Sequence, residues 1–314
     1  MVTLHHPSLE MGERSTSDFL TQYKSISNKL KKRFLRKPNA SEPSDQFATL
    51  AAQCERCDLP QYAGLSWLAV AKCESSLGHV NEEASALVKA GRLYIQAENK
   101  NVIGCEEHLQ GGISCLSQAE RLWGDASPLA AALCLETGNT LKRISPHTAC
   151  GHFAKASTLF SESPQLQLIA LGKLASTQIS IGDYHGALQV FTDMVSTVNK
   201  IPSQPLLGIY NDVLVRCEIS RILLILLLRP SPQKISPDLA KLIEKYTWIG
   251  EPDSKTISWL GEELFFLLQS LVMASQCEEL EAINELESDL WKYFSNEQKD
   301  LLLAIIDDMK NSER

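Results

Sequence analysis

A chain of 314 residues with 44% hydrophobic residues has apolar matter for a real core, arranged either as one elongated domain or as two compact ones. Proline and glycine are sparse inside long stretches and no run of alternating β-branched residues occurs, which excludes a strand-built fold and predicts an almost wholly helical one. The net charge of −8 conceals an asymmetry: Lys24 to Lys37 holds seven bases and no acid, while Glu251 to Arg314 holds 15 acids against 5 bases, a local charge of −10. Such polarity bears on association with partners and says nothing about fold.

Along the chain, residues 1–16 are expected to be disordered, and His5, His6 and Pro7 without an apolar run do not make a targeting segment. A helix is predicted over Asp18 to Lys37, stopped by Pro38. It sets Phe19, Tyr23, Ile26, Leu30 and Phe34 in one stripe and leaves Lys29, Lys31, Lys32, Arg33, Arg36 and Lys37 as a basic block. Four readings of the block stay open: a solvated face, an electrostatic contact to an acidic protein groove, a membrane-surface helix, and nucleic-acid binding. Cys54 and Cys57 form a CxxC pair with no second ligand pair at zinc-site spacing and no preceding strand, so neither a metal site nor a thioredoxin-like role is assigned. His79, Cys105 with His108, and Cys150 with His152 sit in ordinary helices or turns. The nine cysteines are odd in number and mostly lie in apolar helical patterns, as at Cys73, Cys134 and Cys217, which reads as reduced core residues of a cytosolic protein.

Breakers and caps then mark helices over Pro60 to Leu77, Asn81 to Glu98, about Glu106 to Trp123, Pro128 to Arg143, Pro146 to Phe160, Gln165 to Ile181 and Tyr184 to Val198. Connections of a few residues make successive helices antiparallel neighbours. Ala149, Phe153 and Ala156 share the small-aromatic-small spacing of Ala187, Phe191 and Met194, and the two sets stand 38 residues apart, near the 34-residue tetratricopeptide period. The small residue lets two helices approach while the aromatic fills the gap beside it. The predicted fold is therefore an all-α, degenerate tetratricopeptide-like α-solenoid of antiparallel helical hairpins. Its repeats occupy 17–200, a short connector with Pro202 and Pro205 lies at 201–208, and a C-terminal helical part of the same solenoid covers 209–311.

Asn211 to Arg229 is apolar on nearly every side, from Val213, Leu214, Cys217 and Ile219 to the unbroken run Ile222 to Leu228. A helix of that kind must be enclosed by at least two others. Its uninterrupted run of seven residues is far short of the roughly 20 that a membrane span needs. After a loop over Gly250 to Thr256, helices follow at Ser258 to Ser275, Glu278 to Trp291 and Asn296 to Lys310. In the second of these, Leu280, Ile283, Leu286 and Leu290 face inward, which leaves Glu278, Glu279, Glu281 and Glu285 outside, either merely solvated or docking a basic partner element.

No GxGxxG, Walker-type loop, GxSxG or HExxH occurs, so no catalytic, cofactor-binding or metal residue is nominated and the expectation is a non-enzymatic interaction protein.

Four blocks carry a family resemblance: SNKLKKRFLRKPN at Ser27 to Asn39, the buried helix Asn211 to Arg229, LIEKYTW at Leu242 to Trp248, and EELFFLLQSLVMA at Glu262 to Ala274. Together they resemble the family of the 40-kDa huntingtin-associated protein, in the manner of an invertebrate-type relative. The resemblance implies a one-to-one partnership with huntingtin, a large HEAT-repeat solenoid, in which this chain lodges between the partner's repeat regions and stabilises it. It also implies a link to early-endosome motility through a Rab-type GTPase, and it favours the protein-groove reading of the basic block. The implied location is cytoplasmic, with an early-endosome association and a nuclear pool. Vertebrate members carry a long Pro-rich insertion near Ile201 to Leu207 that this sequence all but lacks, so no role of the insertion carries over. The rival expectation is a membrane-trafficking adaptor that uses the basic first helix on anionic lipid or a Rab-type GTPase, independently of huntingtin.

Overall fold

A computed structural model of the chain describes residues 7–31, 39–100, 106–124, 127–201, 208–231, 233, 235–247 and 259–312. Among the described residues there are fourteen α-helices and no strand. The chain divides into two compact units, Met1–Thr137 and Gly138–Arg314. The 201–208 connector belongs to the second, with residues 202–207 outside the described residues.

The first unit contains α1 (Pro7–Lys29), α2 (Ser41–Arg56), α3 (Pro60–Leu77), α4 (Val80–Lys100), α5 (Glu107–Trp123) and most of α6 (Pro128–Leu141). From α1 to α5 each helix packs on the next. The core begins on α1, where Phe19 and Ile26 are buried, and Phe19 meets Tyr62 of α3 at 4.6 Å between ring centroids. Tyr23 meets Phe47 of α2 at 5.1 Å.

Two expectations for this unit need correction. The first helix does not run to Lys37: it ends at Lys29, and the N–H groups of Leu30 and Lys31 turn back to the carbonyls of Ser27 and Asn28 three residues earlier. Ser27 and Asn28 compete with the helix by offering side-chain hydrogen bonds, which favours an ending there. At its other end α1 starts at Pro7, so residues 7–16, expected to be disordered, are helical, with proline in the first position where its missing N–H costs nothing. The second correction is α2, in a stretch to which no helix was assigned. Pro43 and the serines of its first turn resemble a loop, but a first-turn proline is compatible with a helix, and Phe47, Leu50, Ala51 and Cys54 all point inward.

The second unit holds α7 (Pro146–Leu159), α8 (Pro164–Ser180), α9 (Tyr184–Asn199), α10 (Ile209–Leu228), α11 (Pro237–Thr247), α12 (Glu262–Gln276), α13 (Leu280–Leu290) and α14 (Asn296–Ser312). Helices α7 to α10 pack in order, and the chain then folds back so that α12 and α14 also touch α10. Both repeat sets lie in the core: Ala149, Phe153, Ala156, Ala187, Phe191 and Met194 are fully or almost fully buried. A Cβ placed on Gly138 would stand 2.7 Å from the Phe153 ring, so glycine there is what admits the aromatic.

Four hairpins are closed by one device. Asp58, Gly78, Gly182 and Glu278 take left-handed backbone conformations, and the N–H of the residue after each reaches a carbonyl five residues back: Leu59 to Cys54, His79 to Glu74, Asp183 to Gln178 and Glu279 to Ala274. Orphan carbonyls at the helix end are thereby satisfied while the chain reverses. Glycine fits that conformation freely, but aspartate and glutamate do not.

The tightest approach in the first unit is between α4 and α5, where a Cβ on Gly112 would lie 2.9 Å from the Gly91 carbonyl oxygen. Gly111 next to it has ordinary contact distances, with Tyr94 at 3.8 Å. Gly112→Ala is expected to destabilise the protein by about 1–3 kcal/mol through overpacking, and Gly111→Ala to stabilise it by about 0.5–1 kcal/mol through helix propensity. Urea unfolding of the two single variants measures the opposite signs.

Candidate interaction surface

The second unit is organised around α10. Cys217, Ile219 and Ile222 through Leu226 are all buried, which agrees with an enclosed helix, and α9, α12 and α14 are among its neighbours, where at least two were expected. Among the described residues no helix is long and apolar enough to cross a membrane.

This apolar helix also carries charge inward. Glu218 is buried and accepts hydrogen bonds from Lys245 Nζ at 2.6 Å and from the Tyr246 hydroxyl at 3.1 Å, both on α11. Tyr246 stacks on Phe265 of α12 at 5.0 Å, so one buried carboxylate ties α10 and α11 to the aromatic layer of α12. Burial, and then the Glu218 charge, raise the Tyr246 phenol far above its ordinary value, so it stays a neutral donor. Burial likewise draws the Arg221 guanidinium below its ordinary value, opposed by Glu218.

The acidic candidates lie on this frame. Ile283 and Leu290 of α13 are fully buried and Leu280 and Leu286 half-buried, so the expected stripe faces inward and Glu281 and Glu285 face out. With Glu278 and Glu279 they form four exposed carboxylates without a cationic partner among the described residues. Glu281 and Glu285 stand one helical turn apart on a single face, where like charges destabilise a helix by a few tenths of a kcal/mol. Glu278 adds backbone strain, with φ 59. At the corresponding cap in the first unit Asp58 is held by an ion pair with Lys100, whereas Glu278 has no such tie among the described residues.

Glu278 also edges a cleft of about 720 Å³ between the end of α10, α11 and the end of α12, walled by Ile225, Leu226, Ile235 and Ile243. The apolar walls are edged by charged residues of both signs, Arg229, Glu244 and Glu278. On α12, Phe266, 43% exposed, and Met273 are exposed seven residues apart, on one face of the helix. Sequence reasoning missed Phe266 and Met273, because the unbroken apolar runs Leu264 to Leu268 and Leu271 to Ala274 do not tell which of their residues face out.

The basic candidates are seen only in part. Lys29 is exposed in the last turn of α1 and already pairs with Glu42 at 2.8 Å; Lys31 is exposed without an anionic partner among the described residues. Lys32, Arg33, Arg36 and Lys37 lie outside the described residues.

The buried thiols are poor nucleophiles. Burial pushes Cys54 and Cys115 up to about 11 and Cys217 up to about 12, which keeps them protonated. In the CxxC pair Cys54 is buried and Cys57 exposed.

No family model matches the chain. It is 38% identical to the 40-kDa huntingtin-associated protein of Mus musculus and 37% identical to that of Rattus norvegicus, each over 350 aligned positions that cover 92% of this chain and 92% of the relative. The aligned length exceeds the 314 residues of the chain, so the relatives carry residues that it lacks.

Two predictions follow from this geometry. Lys245→Met, which strands the Glu218 carboxylate, should cost about 2–4 kcal/mol, and adding Glu218→Leu should recover most of the loss; a double variant no more stable than the single one would refute the ion-pair account. Glu278→Gly should raise the unfolding free energy by about 1 kcal/mol, read by denaturant titration, because it relieves the left-handed glutamate.

Proposed function

The chain belongs to the family of the 40-kDa huntingtin-associated protein, and from that premise we propose that it is a cytoplasmic, non-enzymatic protein that binds huntingtin one-to-one and stabilises it. The observation that carries the proposal is the relationship to the mouse and rat proteins along nearly the whole of both chains. In this reading the chain lodges between the HEAT-repeat regions of huntingtin, and apolar helix faces supply most of the affinity. Phe266, Met273 and the cleft edged by Glu278 are the described surface best suited to that part. The exposed carboxylates Glu278, Glu279, Glu281 and Glu285 and the basic block from Lys29 to Lys37 set orientation and association rate. Stabilisation follows from mass action: a partner at about 100 times its Kd adds about 2.7 kcal/mol to the folded state that binds it. A link to early endosomes through a Rab-type GTPase rests on the family resemblance.

The test is co-expression with the huntingtin of the same organism, followed by size-exclusion chromatography with mass determination. The expected outcome is a one-to-one complex that persists at about 1 M salt, where charges are screened beyond about 3 Å. A monodisperse free chain that ignores huntingtin would overturn the proposal, and flotation of that chain with anionic liposomes would turn the reading to a trafficking adaptor. Reversing Glu279, Glu281 and Glu285 to lysine should slow association at low salt and matter less as salt rises; an unchanged rate at every salt concentration would remove the electrostatic part.

A further inference from the structure

A cavity of about 350 Å³ opens in the second unit between α8, α10 and α14. Its floor is apolar: Met194 is buried beneath it, Val213 forms a wall, and Ile169 stands 46% exposed at the mouth. Gly172 lines the interior beside Arg216, whose terminal nitrogen would make ordinary contact, 3.6 Å, with a Cβ there. The guanidinium lines the cavity and is 39% exposed, so it is reachable from it.

The polar lining is built rather than incidental. Arg216 donates to Glu297 at 3.1 Å, Ser176 donates to the other oxygen of the same carboxylate, and Lys142 donates to Ser176 at 2.8 Å. Gln298 holds this corner by donating to the Arg216 carbonyl at 3.2 Å and to the Ser220 hydroxyl at 3.1 Å, and Arg216 lies 6.0 Å from the centre of the Phe191 ring. Glu297 takes one of the five N–H donors of Arg216, and others remain for a ligand. Lys173, exposed on the cavity wall, has no anionic partner among the described residues. Two cations, Arg216 and Lys173, thus line the cavity against one carboxylate, Glu297, in a protein whose net charge is −8. A local positive excess above an apolar floor attracts an anion that carries apolar groups.

We propose that this cavity is a docking groove for an acidic segment of a partner protein, an aspartate or glutamate meeting Lys173 and the open side of Arg216 while a neighbouring aliphatic or aromatic side chain packs on Ile169 and Val213. The two lining cations stand on separate elements, Lys173 on α8 and Arg216 on α10, which suits successive side-chain carboxylates along a chain better than one terminal carboxylate. The groove is independent of the huntingtin reading and stands if that reading fails.

The test selects phage-displayed random peptides on the full-length chain fused to maltose-binding protein. The peptides are joined to the coat protein through their C-termini and so present no free terminal carboxylate. Enrichment of sequences with an acid next to a large apolar residue is expected. A synthetic peptide of the enriched sequence should bind about tenfold more weakly to Lys173→Glu, with thermal unfolding unchanged, and also to Ile169→Glu, which places a like charge at the mouth. Enrichment of neutral or basic sequences, no enrichment, equal binding to wild type and Lys173→Glu, or a demand for a free C-terminus would each overturn the proposal.

Discussion

The enclosure of α10 is the constraint on which the second unit depends. A helix with buried apolar groups around its circumference cannot rest on the surface, so α9, α12 and α14 have to close over it, and the chain has to return to α10 after leaving it. Charge is admitted to this core only where it is answered. Glu218 is compensated by Lys245 and Tyr246, and the cost of burying the carboxylate becomes a directional demand on α11 that apolar packing alone would not impose.

The same frame explains why exposed apolar and acidic side chains gather at helix ends and on outer faces. Once the inner faces of α12 and α13 are committed to the core, Phe266, Met273 and the acidic residues have nowhere to point but outward. The left-handed caps that reverse the chain bring short hairpins within reach of each other. One of them puts Glu278 at the edge of an apolar cleft in a conformation that glycine would occupy at lower cost. Exposed carboxylates, an apolar cleft and backbone strain thus meet at the junction of α12 and α13.

Legibility followed the range of the interaction involved. The stripes of α1 and α13, the repeat triplets and the enclosure of α10 were readable because each is a periodicity within one helix. The family resemblance was readable from four blocks and agrees with the mouse and rat relatives. Helix α2 was hidden by Pro43 and by serines that favour turns as much as first helical turns, and the end of α1 by a basic run that continues the helical pattern beyond Lys29. Of the candidate contacts, the acidic four are exposed as expected, while Lys29 turned out to be paired with Glu42.

Helix content, the inward stripes and the charge asymmetry are properties of neighbouring residues, and the amino-acid order is sufficient for them. The Glu218 network, the two clefts and the meeting of Arg216 and Ser176 on Glu297 are of another kind. Arg216 and Glu297 are 81 residues apart, and Ser176 and Glu297 are 121 apart. No local periodicity records such a meeting, because it exists only after apolar burial has brought α8, α10 and α14 together and low-dielectric packing has made each unpaired charge costly enough to choose its partner.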